Sequence, residues 1–302
     1  MRIIVTGRKG QVARSLVERG ALAGHEVITL ARPEFDLTGD PEAIVAAIEG
    51  HRPDAVISAA AYTAVDKAES EPDLAFAVND RGARAVAKAA ERIGAALVHL
   101  STDYVFDGSK ASPYVESDPT HPLGVYGASK LAGEHAVLAE CANSAILRTA
   151  WVYSPFGTNF VKTMLRAAAD RDEVNVVADQ LGNPTSALQI ADGVIAVARN
   201  LMRGRNAAQR GTFHMTAAGE ASWADFAAAV FGLSAQAGGP SAKVTPITTA
   251  DYHTAARRPA NSRLDSSLLE QRHGVRLPEW RNSLRDVISR LLDGKETGYS
   301  SS

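Results

Sequence analysis

Short β-branched runs recur through the first half of the chain: RIIVT (2–6), EVITL (26–30), DAVIS (54–58), ALVHLS (96–101) and SAILRT (144–149). Between them lie Ala-rich stretches long enough for crossover helices, and a strand joined to the next strand through a helix runs parallel to it. The runs are apolar throughout instead of alternating, as strands covered on both faces must be. The expected fold is therefore α/β, a doubly wound parallel sheet of Rossmann type. GDPEAIVAAI fits one crossover, with Asp40 as N-cap, Pro41 at the first helical position, and Ile44 and Ile48 on one face. After about residue 150 the rhythm breaks into polar loops, SPFGTNF, DQLGNPTS and TAARRPANSRLD. Residues 1–150 are expected to form the core domain. Residues 151–302 are expected to be mainly a smaller C-terminal substrate-binding domain, with later segments free to return to the first.

Composition narrows the function classes. With 302 residues, 45% of them hydrophobic, the chain can bury a large core, and its net charge of −2 comes from scattered cations and anions. No basic patch marks it for nucleic acid or an anionic membrane, so the expected partner is a small molecule. MRIIVTG enters a strand at once and no apolar run of about 18 residues follows, which predicts a cytoplasmic protein without a membrane partner. The single cysteine, Cys141, has no His or Cys neighbour at metal spacing and reads as a packed thiol. No metal site is expected, and a divalent cation is left undecided. The tail KETGYSSS reads as frayed.

IIVTGRKGQVARSL places Gly7, Gly10 and Ala13 between the first strand and the first helix. Such a turn lets backbone approach a diphosphate and points free helix N–H groups at it. Gly7, Lys9, Gly10, Gln11 and Val12 are the candidate cofactor contacts there. Where an acid would grip the 2′-hydroxyl of NAD, the second strand instead runs into Ala31 and Arg32. With Arg8 and Lys9, Arg32 predicts a pocket for the 2′-phosphate of NADPH, with NADH an alternative donor. Asp36 and Leu37, after a short third strand, are expected to flank the adenine. Ala59, Ala60 and Ala61, just past the DAVIS strand, complete the cofactor set.

Ligands of open parallel sheets sit beyond the carboxyl ends of the strands, where ALVHLS delivers Ser101, Thr102 and Asp103. VYGASKLAGE then places Tyr126 and Lys130 on one helical face. A tyrosine four residues before a lysine is a weak signal alone, equally a plain helix surface. Beside a strand-end hydroxyl and a cofactor turn it becomes a hydride-transfer arrangement: Thr102 polarises a carbonyl, Tyr126 delivers a proton, and Lys130 depresses the phenol and holds the nicotinamide ribose.

That set resembles the extended short-chain dehydrogenase/reductase superfamily. AAAYTAVDKAE (59–69), STDYVF (101–106), YGASKLAGE (126–134), LRTAWVY (147–153), GTNFVKTML (157–165), DQLGNPT (179–185) and RPANSRLD (258–265) resemble, more narrowly, the dTDP-4-dehydrorhamnose reductase family. The resemblance implies NADPH-dependent reduction of dTDP-4-dehydro-L-rhamnose to dTDP-L-rhamnose, with Thr102, Tyr126 and Lys130 catalytic. It also implies nucleotide-sugar contacts from Thr102, Asp103, Trp151, Asn159, Phe160 and Arg258. Trp151 and Phe160 could equally be core aromatics, and Arg258 an ion-pair partner. The loop at Val65 is expected to face the nicotinamide, with Asp66 and Glu69 left as helix caps. A homodimer is the one macromolecular partner considered. Ala13 replaces a third glycine, Ser58 stands where the family often has Asn, and the second strand lacks an acid. Tyr104 stands where nucleotide-sugar dehydratases carry Glu, which favours a reductase. The rival readings are another nucleotide-sugar 4-ketoreductase and a non-catalytic relative of the methionine adenosyltransferase β-subunit type.

Overall fold

The computed structural model describes residues 1–204 and 206–294; the tail that the sequence reads as frayed lies outside them. Five strands fall where the apolar runs predict: β1 Arg2–Thr6, β2 Glu26–Leu30, β3 Ala55–Ser58, β4 Ala96–Thr102 and β5 Ser144–Thr149. A sixth, β6 Gly211–His214, returns from the second half of the chain to pair with β5. All six pair in parallel in the order β6-β5-β4-β3-β1-β2. The strand order reverses between β1 and β3, the switch point at which such sheets open a crevice for ligands.

Successive side chains explain the apolar runs. Ile3, Val5, Ala55, Ile57, Val98 and Leu147 pack on one face of the sheet with α1 (Gln11–Leu22) and a later helix, α5 (Ala187–Arg203). Ile4, Val56, Leu97 and Ile146 pack on the other with α2 (Pro41–Glu49) and α3 (Ala83–Ile93), and α4 (Val125–Glu140) completes that layer. Asp40 caps α2 as expected, its Oδ1 accepting the Glu42 N–H at 3.2 Å. One expectation fails. Between Ala31 and Asp40 the chain forms turns in place of a third strand; a lone buried phenylalanine and leucine, Phe35 and Leu37, plug the edge of the core without neighbours to pair with.

The remaining segments build a smaller layer against one end of the sheet. Glu173–Val177 pairs in parallel with Lys243–Ile247, flanked by the helices Phe160–Asp170 and Trp223–Gln236. Fully buried Trp280 and Tyr153 lock this part to the core, the Tyr153 hydroxyl donating to the Trp280 carbonyl at 2.9 Å. Among the described residues no helix is long and apolar enough to cross a membrane.

The α4 face of the sheet changes character along its length. Towards the amino ends it is Leu97 and Ile146; towards the carboxyl ends it becomes His99, Ser101 and Arg148. Glu134 of α4 answers Arg148 with two hydrogen bonds, at 2.9 and 2.6 Å, and accepts the Ser101 hydroxyl at 2.5 Å. The Arg148 and Glu134 side chains are only 6% and 2% exposed. Removing one member of such a buried pair strands the other charge, so Glu134→Gln should lower stability by about 3–5 kcal/mol in urea unfolding. A change within about 0.5 kcal/mol, the range of an ordinary surface substitution, would show that the pair does not hold α4.

Candidate active site

The cofactor end begins with the turn after β1. Gly7 sits at φ +93, a conformation costly for any residue with a Cβ, and its N–H donates to the Leu30 carbonyl at 2.7 Å, tying the turn to the end of β2. Gly10 is the N-cap of α1, has no side-chain cap, and has open space where a Cβ would stand. The first N–H groups of α1, at Gln11 and Val12, therefore face a space that a diphosphate can enter. Across the switch point, the Thr6 hydroxyl oxygen accepts the N–H groups of Ala59 and Ala60, both at 3.0 Å, and clamps the turn that follows β3. Arg8, Lys9 and Arg32 are exposed on this rim and join no salt bridge among the described residues. The Asp36 carboxylate lies below its ordinary value, chiefly because it accepts the Thr38 N–H.

The Gln11 side chain has a task separate from its backbone N–H. Its amide bridges to the second half of the chain, donating to the Val152 carbonyl at 3.3 Å and accepting from Ser154 and Asn159 at 2.8 and 3.0 Å. Asn159 likewise serves as scaffold: it caps the helix Phe160–Asp170 through the Lys162 N–H and donates to the Ser154 and Phe156 carbonyls. The pair fastens α1 to the loop at 152–159.

At the carboxyl end of β4, Thr102 and Asp103 are buried, and the Thr102 hydroxyl donates to Asp103 Oδ1 at 3.0 Å. Asp103 Oδ2 is buried without a hydrogen-bond partner; the Ser262 hydroxyl steadies this carboxyl electrostatically but lies outside hydrogen-bonding geometry for Oδ2. Burial dominates and pushes the carboxyl up to about 6. Tyr126 meets Tyr104 edge to face, ring centroids 5.5 Å apart. Burial pushes the Tyr126 phenol up to about 12, partly offset by the Thr102 hydroxyl. The sequence expectation that Lys130 depresses this phenol is thus overturned. The Lys130 ammonium turns instead to the Leu100 carbonyl, 2.7 Å away, and to His99 Nε2, 3.3 Å away. Burial also pulls Lys130 down to about 8, against the pull of Glu134.

Two devices hold the start of α4, whose N-cap is Gly124 and lacks a side-chain cap of its own. Glu69 Oε1 accepts the Val125 N–H at 2.9 Å, so its capping role falls on α4 rather than on its own helix. Asn79 grips Tyr62 at both N–H and carbonyl and donates to Ser129 Oγ at 2.9 Å; the Ser129 hydroxyl in turn donates to the Tyr126 carbonyl at 2.9 Å. Gly127 lies so close to the Tyr104 carbonyl that a Cβ would stand 2.1 Å from it.

The other candidates form a wall and an ion pair. Trp151, at φ +48, stacks on Trp223 with ring centroids 3.6 Å apart, and Phe160 lies 4.7 Å from Trp223. Arg258 is held by both Asp66 oxygens, at 3.2 and 3.0 Å, half-buried and electrostatically coupled to Tyr104. The sequence reading missed Thr6, His99, Ser58, Glu134, Asn79 and Trp223. Only Thr6 and Ser58, hydroxyls at the ends of the first and third strands, carried any positional hint.

The profile of the family described as RmlD substrate binding domain matches residues 1–292. A dTDP-4-dehydrorhamnose reductase of Sinorhizobium fredii is 52% identical over 98% of this chain and 100% of its own. The crystal structure of a dTDP-4-dehydrorhamnose reductase from Clostridium acetobutylicum superposes with a TM-score of 0.89 at 39% identity, covering 97% of this chain and all of that one. That of the Bacillus anthracis dTDP-4-dehydrorhamnose reductase, in complex with NADP, gives 0.88 at 35% identity over 96% and 99%.

Asp103 yields a pH test. Its carboxyl titrates at about 6 in the folded protein against an ordinary 3.8, so between these values the folded state keeps a proton that the unfolded chain releases. The stability it contributes is full below pH 4 and lost as pH rises through 6. Over the whole titration, from well below 3.8 to well above 6, the parent should lose about 3 kcal/mol relative to Asp103→Asn, measured by urea unfolding across that range. Parallel curves for the two proteins would contradict the buried, poorly partnered carboxyl.

Proposed function

The chain belongs to the dTDP-4-dehydrorhamnose reductases, the family of the RmlD substrate binding domain, and on that premise we propose how its residues divide the reaction. The enzyme is an NADPH-dependent oxidoreductase that reduces dTDP-4-dehydro-L-rhamnose to dTDP-L-rhamnose, a step in rhamnose biosynthesis. The observation that carries the assignment of roles is the approach of Tyr126 to the Thr102 hydroxyl and of the Lys130 ammonium to the Leu100 carbonyl, both at the end of β4.

NADPH, when bound, supplies the hydride. The uncapped α1 N-terminus and the glycine turn hold its diphosphate, the Ala59–Ala61 turn borders it, and Arg8, Lys9 and Arg32 form the rim that favours a 2′-phosphate. Residues 1–150 form this half, to which α5 and β6 return; most of 151–294 forms the sugar side. As hydride reaches C4 of the sugar, negative charge develops on the ketone oxygen. The Thr102 hydroxyl turns its hydrogen from Asp103 Oδ1 to that oxygen, and Tyr126 gives it the proton. A phenol pushed up to about 12 is fully protonated at neutral pH, the state a donor needs, and the Lys130 ammonium, one turn along α4, holds the nicotinamide ribose. Trp151, Trp223 and Phe160 offer the base or sugar an apolar wall. Arg258, aimed by Asp66, offers the diphosphate a guanidinium. Asn159 supports the loop beneath them.

The test is oxidation of NADPH by purified protein supplied with dTDP-4-dehydro-L-rhamnose, followed by nicotinamide absorbance. Tyr126→Phe keeps the ring and removes the proton, so turnover should fall by about 10²–10⁴-fold with NADPH affinity little changed. A folded Tyr126→Phe protein within about threefold of the parent rate, far short of that range, would remove Tyr126 from the chemistry.

A further inference from the structure

A chain of three buried polar side chains runs inward from the catalytic lysine. Lys130 Nζ lies 3.3 Å from His99 Nε2, and His99 Nδ1 lies 3.0 Å from Ser58 Oγ. Lys130, His99 and Ser58 are 3%, 1% and 2% exposed. They come from α4, β4 and β3, so the chain crosses two strands beneath the site. None of the steps assigned to Thr102, Tyr126 and Lys130 calls on His99 or Ser58. A histidine in the middle of an apolar strand, on a face that otherwise packs against helices, needs a reason.

We infer that His99 is a positioning residue for the reductase: its Nε2 lone pair fixes the direction of the Lys130 ammonium, and Ser58 selects the tautomer that leaves this lone pair free. The inference rests on the roles given to Tyr126 and Lys130 above. An ammonium carries three protons. One goes to the Leu100 carbonyl at 2.7 Å and one to His99 Nε2, which leaves a single proton to reach outward to the phenol and the ribose. Without the second acceptor the headgroup could rotate about its last bond, and that outward proton would lose its direction. For Nε2 to accept, the ring must be neutral with its hydrogen on Nδ1, and Ser58 Oγ stands where that hydrogen points. Burial and the neighbouring Lys130 charge hold His99 well below its ordinary value, which keeps it neutral. The other charged groups in this layer are Glu134, beside Lys130 on α4, and its partner Arg148 on β5. They form their own pair and leave the histidine as a neutral acceptor. At position 58 a hydroxyl oxygen serves as the acceptor.

The tautomer can be read without substrate or cofactor, so its outcome is separate from that of the reductase assay. In the full-length protein with ¹⁵N-labelled histidine, the His99 signals, assigned by their loss in His99→Gln, should show hydrogen on Nδ1 and a bare Nε2. Hydrogen on Nε2 would overturn the inference, because that nitrogen could not then accept from an ammonium. Kinetics supply the second arm. His99→Leu removes the acceptor but keeps an apolar side chain; kcat should fall and the KM for NADPH rise, together lowering kcat/KM for NADPH by roughly ten- to a hundredfold. KM for the ketosugar should hold. The alkaline limb of the kcat profile should move to lower pH, since a charged Lys130 with one partner fewer releases its proton more readily. His99→Gln, whose side-chain oxygen can accept, should restore most of both. A His99→Leu enzyme with the parent's NADPH KM and pH profile would make His99 a core filler. If His99→Leu does not fold, the tautomer of the parent protein decides.

Discussion

The site depends on how one helix is seated. Helix α4 carries both Tyr126 and Lys130, and its middle is held to the sheet by Glu134, bonded to Arg148 of β5 and Ser101 of β4. Both Glu134 oxygens are taken by the guanidinium, while Arg148 Nη1 stays buried without a hydrogen-bond partner, so a shift of the helix would strand two buried charges and the pair favours one register on the strands. One turn earlier on the same face, that register sets the Lys130 ammonium against the Leu100 carbonyl and His99. One more turn earlier it delivers Tyr126 to Thr102 at the strand end. Glu69 and the Asn79–Ser129 bridge then fix the helix start from outside.

The electrostatics of the pocket follow one rule, that burial favours the uncharged form. It pushes Asp103 to about 6 and Tyr126 to about 12, and pulls Lys130 to about 8. The three shifts differ in sign because an acid and a base are neutral in opposite protonation states. Their shared effect is a dry site in which a charge forming on a ketone oxygen is felt strongly by the few dipoles aimed at it. The Tyr126 phenol stays protonated until that charge appears.

The doubly wound half was legible because strands buried on both faces must be continuously apolar, and RIIVT, DAVIS and ALVHLS have no other use in a chain of this kind. Strand β6 was hidden: GTFH has four residues, one of them glycine and one histidine, and its partner β5 lies some sixty residues away, so nothing local marks it. The short third strand expected before Asp36 failed because two buried residues, Phe35 and Leu37, plug a core edge from within turns. In the site, Thr102, Tyr126 and Lys130 were legible because chemistry at a strand end and an adjoining helix face needs few residue types. The supports were not. His99 reads as one letter of an apolar run, and its partners Ser58 and Lys130 come from other elements. The Gln11 and Asn159 side chains bond each other across the two halves of the chain, a link that no local pattern announces. Arg258 was weighed as either a diphosphate contact or an ion-pair partner, and its bond to Asp66 shows that the second does not wait for a ligand.

The central claim is that this arrangement passes hydride to C4 of a nucleotide-linked ketosugar and a proton to its oxygen from one fixed side. The most direct measurement uses NADPH deuterated at the transferable position of the nicotinamide, with dTDP-4-dehydro-L-rhamnose, and reads the sugar product by NMR. The account predicts dTDP-L-rhamnose with deuterium at C4 and a single configuration there. Product without deuterium at C4, or with the 6-deoxytalose configuration, would contradict it.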